Sequence, residues 1–73
     1  MVSLKLRPIR GSDLVKIFCN RYGFSVVRRK GSHATLNKGP VYVTIPLKQI
    51  GVGLLSTILR DSGIPREEFL RLV

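Results

Sequence analysis

Acidic residues are scarce in this chain. Asp13, Asp61, Glu67 and Glu68 are the whole set, against 13 Lys and Arg. Mechanisms built on paired carboxylates and metal sites built on carboxylate clusters have little to draw on here. Cys19 and His33 are each the only residue of their type, which leaves no internal disulfide and no zinc-ligand spacing. No metal site and no cofactor is therefore expected. The longest apolar tract, around residues 51–59, is far too short to span a bilayer, so no membrane partner through insertion is expected. The N-terminal stretch carries Lys5, Arg7 and Arg10 without an apolar run, unlike a secretory signal. With an unpaired cysteine beside it, a cytoplasmic location is the expectation.

The 73 residues form one domain, which buries only about 60% of its unfolded surface. Such a chain has little interior for a deep pocket, and a large substrate lying across an exposed face suits it better. The net charge is +9, and residues 1–30 hold eight of the thirteen cations against one acid, Asp13. This asymmetry points to a polyanionic partner: nucleic acid, an anionic membrane surface or an acidic protein.

Residues 1–10 read as a basic lead-in broken at Pro8, and 11–73 as the globular part. Ser12 has the chemistry of an N-cap, followed by Asp13 in the first turn. Leu14, Val15, Phe18 and Tyr22 recur at helical spacing, and Gly23 suits the stop. A first helix over 13–22 follows, with Cys19 beside its apolar face in a structural role. Residues 24–29, 33–37 and 41–45 read as strands. Gly31-Ser32 is the first break and residues 37–40 a turn. Leu54, Leu55, Ile58 and Leu59 predict a core-facing helical stripe ended by Ser62-Gly63. Pro65 at about the first helical position, with Glu67 and Glu68 behind it, starts a short last helix. Phe69, Leu70, Leu72 and Val73 would pack that helix onto the body.

Helix, three strands, helix, short helix is an α+β pattern. It predicts a two-layer sandwich in which helices cover one face of a three-stranded antiparallel sheet. The other face is then solvated. Alternation puts Ala34 and Leu36 toward the core and His33 and Thr35 on the open face, with Tyr42 and Thr44 near them.

The stretch Arg28-Arg29-Lys30-Gly31-Ser32-His33 concentrates the chemistry. Cations hold phosphate, and an ordinary histidine, with a pKa near 6.5, moves protons at neutral pH. Side chains alternate along a strand, so Arg28 and Lys30 share a face and Arg29 takes the other. Gly31 and Ser32 let backbone approach a phosphate, and Lys38 adds a further cation. A lone histidine leaves one of the two proton steps of RNA cleavage to another group, with Tyr42, Ser32, a lysine or water as the choices.

Several pieces in order resemble the HicA-type (YcfA-like) mRNA interferase toxins of prokaryotic toxin–antitoxin pairs. They are Gly23-Phe24, Arg29-Lys30-Gly31-Ser32-His33, Val43-Thr44-Ile45-Pro46, Gly53-Leu54-Leu55-Ser56-Thr57-Ile58-Leu59-Arg60, Ser62-Gly63-Ile64 and Arg66-Glu67-Glu68-Phe69-Leu70. The resemblance spans about residues 11–72. It implies a fold like double-stranded-RNA-binding domains (dsRBD-like). It also implies metal-independent endoribonuclease activity on mRNA with His33 catalytic. The RNA-binding set would be Arg28, Arg29, Lys30, Gly31, Ser32 and Lys38. A cognate HicB-like antitoxin would mask the site. The segment Leu47-Lys48-Gln49-Ile50 lacks the second histidine of many such toxins, and residues 1–10 match nothing in them. The alternatives are a non-catalytic RNA-binding module of the same fold and a basic subunit of a ribonucleoprotein assembly.

Overall fold

The computed structural model describes residues 5–72. In chain order the elements are β1 (Ile9–Arg10), α1 (Gly11–Arg21), β2 (Ser25–Lys30), β3 (His33–Lys38), β4 (Val41–Pro46), β5 (Gln49–Ile50), α2 (Val52–Asp61) and α3 (Arg66–Leu70). Strands β2, β3 and β4 form an antiparallel meander with β3 in the middle. The molecule is the expected α+β sandwich, with helices on one sheet face and a short helix at the end.

One hydrophobic cluster joins the layers. Leu14, Val15 and Phe18 of α1 and Leu55, Ile58 and Leu59 of α2 meet Ala34 and Leu36 of β3 and Val43 and Ile45 of β4. Phe24 packs against Phe18 with ring centroids 5.1 Å apart, and Phe69 closes the cluster from α3. Both sheet turns place a glycine first and hold it at positive φ, Gly31 at 59° and Gly39 at 58°. That geometry matches a two-residue hairpin loop and the right-handed twist of its strands. Helix α2 ends in a full Schellman arrangement. The Ile64 N–H donates to the Leu59 carbonyl at 3.0 Å and the Gly63 N–H to Arg60 at 3.1 Å, with Gly63 at φ 72°.

Several local expectations are corrected. The first helix begins at Gly11, and Ser12 lies inside it rather than capping it. Its start is set by tertiary structure: the Gly11 N–H donates to the Lys48 carbonyl at 2.8 Å. A Cβ on Gly11 would stand 1.6 Å from the Pro46 carbonyl oxygen, so only glycine fits this crossing. The two-residue strands β1 and β5, which pair Ile9 with Ile50 and Arg10 with Gln49, went unseen in the sequence. They are too short for any periodicity to register. Through Leu6 and Ile9 the basic segment packs onto the core. Asn37 and Lys38 belong to β3, leaving Gly39-Pro40 as the turn. Pro65 precedes α3, which opens at Arg66. Leu54, expected in the core stripe, is 47% exposed, and Leu72 is 39% exposed. Leu54 lies in the first turn of α2, off the side that meets β4. Val73 lies outside the described residues.

Strand β2 differs from its neighbours in being exposed along its whole length. Helices α1 and α2 pack on β4 and bury Ala34 and Leu36 of β3, whereas β2 is an edge strand whose residues all stay exposed. Its ladder shifts register between Val26 and Arg28. Val26 stands opposite the buried Leu36, whereas Arg28 stands opposite the open-face Thr35. An unbroken strand would put Val26, Arg28 and Lys30 on one face. The bulge separates the valine from the cations, which is the re-aiming for which such irregularities are known.

Two stability outcomes follow. Gly11→Ala forces β4 and α1 apart at a backbone contact, and overpacking of this kind costs about 1–3 kcal/mol. Thermal melts should show Tm lowered by roughly 5–20 °C. The Tyr22 hydroxyl is buried without a hydrogen-bond partner. Burial, with a smaller contribution from the Glu68 carboxylate, raises the Tyr22 phenol above its ordinary 10.0. The folded state therefore holds this proton more tightly than the unfolded chain, and stability is lost as pH climbs past 10. Tyr22→Phe should leave Tm unchanged or raised at pH 7 and remove that alkaline loss; a fall of several degrees at pH 7 would contradict the orphaned hydroxyl.

Candidate nucleic-acid interface

Because Ala34 and Leu36 are fully buried, alternation drives His33 and Thr35 to the opposite face of β3. Cross-strand partners share a face, so the ladder specifies who joins them. Lys30 stands opposite His33 on one side and Pro46 on the other; Arg28 and Thr44 flank Thr35 in the next row. The row beyond holds Ser25, Asn37 and Tyr42. Arg28, Lys30, His33 and Thr35 line one shallow depression of about 470 Å³.

Not every candidate is here. Arg29 pairs with buried Ala34 and so lies on the helix side of the sheet. Lys38 shares the face of Ala34 and Leu36, and its ammonium sits 5.9 Å from the centroid of the Phe24 ring. It is also five residues along β3 from His33, roughly 17 Å. The structure therefore brings together His33, Lys30 and Arg28, adjoined by the Gly31-Ser32 turn, and does not bring in Arg29 or Lys38. Tyr42 is on the open face, but about 13 Å along β4 from the residue opposite His33. That is too far to serve the same phosphate, so among the side chains considered for the second proton step Lys30 and Ser32 stand nearest.

The turn itself is held from just past the end of β4, where the Leu47 N–H donates to the Ser32 carbonyl at 2.6 Å. Gly31 needs its positive φ, and nothing lies within 4 Å of where its Cβ would be. The backbone here is open to a ligand.

All four carboxylates ride on helices: Asp13 on α1, Asp61 on α2, Glu67 and Glu68 on α3. None accompanies the open sheet face. Among the described residues the one ion pair joins Arg60 to Asp61, leaving Arg28 and Lys30 without a carboxylate partner. The arrangement offers one imidazole beside Lys30, with Arg28 in the next row of the same strand, backbone at a glycine turn and a flat hydroxyl-bearing floor of Thr35 and Thr44. It can hold phosphate oxygens and move a proton beside them.

No group of three or more His, Cys, Asp or Glu side chains gathers as a metal-binding cluster among the described residues. No described helix is long and apolar enough to cross a membrane. A family model described as HicA toxin of bacterial toxin-antitoxin matches residues 11–64, most of the chain and the whole of the open sheet face. No curated protein and no solved structure matches.

The face assignment has a direct electrostatic test. Retention on heparin should fall more for Arg28→Glu and Lys30→Glu than for Arg29→Glu and Lys38→Glu. The formal charge change is the same in all four, so equal losses would mean that the ladder does not define the polyanion surface.

Proposed function

We propose an activity for this chain, which belongs to the HicA toxin family of bacterial toxin–antitoxin pairs: it cuts messenger RNA in the cytoplasm, without metal, through His33. The toxin role and the existence of an antitoxin partner follow from the family. The observation that supports the chemistry is the meeting of His33 with Lys30 and Arg28 on a sheet face free of carboxylates.

In the reaction the ribose 2′-oxygen forms a bond to phosphorus as the bond from phosphorus to the 5′-oxygen breaks. The 2′-hydroxyl gives up its proton and the leaving 5′-oxygen gains one. His33 performs one of these transfers. Lys30, directly opposite on the ladder, and Arg28, one row away, stabilise the charge that grows on the phosphate oxygens. Ser32 and the Gly31 backbone fix the strand at the turn. Arg29 and Lys38 face the helix side and take no part in this step. With one imidazole, acid–base catalysis supplies about 10²–10⁴-fold, and the enzyme is slow. The antitoxin is a HicB-like protein whose acidic side chains cover the open face by matching Arg28 and Lys30.

The test is cleavage of a long single-stranded RNA in excess EDTA. Wild type is expected to produce fragments and His33→Ala to lower the rate by at least 100-fold while RNA affinity stays within about twofold. Lys30→Ala should lower both. Equal cleavage by wild type and His33→Ala would remove His33 from the chemistry. Binding by both without cleavage would instead establish the non-catalytic RNA-binding reading.

A further inference from the structure

The segment before residue 11 lies outside the family match, yet it is built into the fold. Ile9 and Ile50 pair and turn inward, while Arg10 and Gln49, paired beside them, turn out. Leu6 is buried and Arg7 exposed. The ribbon made by β1 and β5 is anchored at the His33 end of the sheet. Pro46 pairs with His33, the Leu47 N–H is bonded to Ser32, and the Lys48 carbonyl accepts the N–H of Gly11, the residue after Arg10. One strand spacing plus two residues keeps the Lys48 Cα within roughly 12 Å of that of His33.

We propose that Arg7, Arg10 and Lys48 form a second phosphate-binding surface on the β1–β5 ribbon, which takes a single-stranded RNA as it runs past the His33 face. This rests on the reading of that face as an RNA site. The three cations are exposed and carry no ion pair among the described residues. They lie at the same end of the sheet as Lys30 and His33 and continue the track beyond Pro46. At the opposite end, by the Gly39-Pro40 turn, the one cation carried by the described strands is Lys38, which sits over Phe24 on the helix side. The RNA footprint is therefore lopsided, extending from His33 toward the ribbon. The packing that forces glycine at position 11 holds the ribbon in that place.

The experiment measures affinity for a 2′-O-methyl 16-nucleotide RNA, which binds without being cut, across a range of salt. The full chain is compared with Arg7→Gln/Arg10→Gln/Lys48→Gln. Three lost phosphate contacts should make the slope of log K against log salt shallower by about 2, or about 100-fold weaker binding at 0.1 M salt. Each single substitution should remove about 0.7 of the slope, so the test survives if the triple variant fails to fold. Arg7→Lys/Arg10→Lys should keep the full slope. Lys16→Gln/Arg21→Gln/Arg66→Gln removes the same charge from exposed helix positions and should change the slope little. Equal changes in the two triple variants, or none in the ribbon variant, overturn the assignment while leaving the His33 face intact. Absence of salt-dependent binding by the unsubstituted chain overturns the RNA reading and the ribbon with it.

Discussion

Burial of Ala34 and Leu36 beneath α1 and α2 is the constraint on which everything else here depends. Both are fully inaccessible, and they sit at the centre of the middle strand. A one-residue slip would send them into water and His33 into the core. Register on both sides of β3 is thus set by apolar packing, and the position of the open, His33-bearing face is its by-product. The neighbours inherit it: Val43 and Ile45 on the inner side, Lys30 and Arg28 on the outer. The core decides the site's geometry from the opposite face of the sheet.

A second layer of control comes from two irregular points. The bulge at Val26–Arg28 lets an edge strand present valine to one side and cations to the other. Such an edge also resists casual pairing with other strands, since bulges and basic side chains both blunt it. The other point is Gly11, where helix, β4 and the small ribbon converge. Together they couple a basic edge and a basic ribbon to opposite sides of one histidine. With all four acids held on the helices, the molecule is electrostatically two-sided. The helices are neutral, with Lys16, Arg21, Arg60 and Arg66 against the four acids, so the net charge of +9 lies outside them.

Much of this was legible in the residues themselves. Period-2 alternation in 33–37 and 41–45 placed His33, Thr35 and Thr44 outward, and the helical stripe in 14–18 identified the covering layer. The alternation that separates Arg29 from Arg28 and Lys30 also puts Lys38 on the opposite face from His33. What stayed hidden depends on contacts distant in sequence. The ribbon pairs residues 9–10 with 49–50, and Gly11 is a helix start only because Lys48 and Pro46 lie against it. Leu54 matches the apolar period, but the side of α2 that enters the core carries Leu55, Ile58 and Leu59, and Leu54 is turned off it. A two-residue strand has no period to read, and a bulge erases the period around it.

On the proposed mechanism the open face of the sheet directs the 2′-hydroxyl of RNA against its own phosphate. End-group analysis of the products made by the unsubstituted chain in EDTA tests it most directly. Fragments ending in 2′,3′-cyclic phosphate paired with 5′-hydroxyl ends are expected. Fragments with 3′-hydroxyl and 5′-phosphate ends, or cleavage that persists when the 2′-hydroxyl at the cut site is replaced by hydrogen, would contradict it.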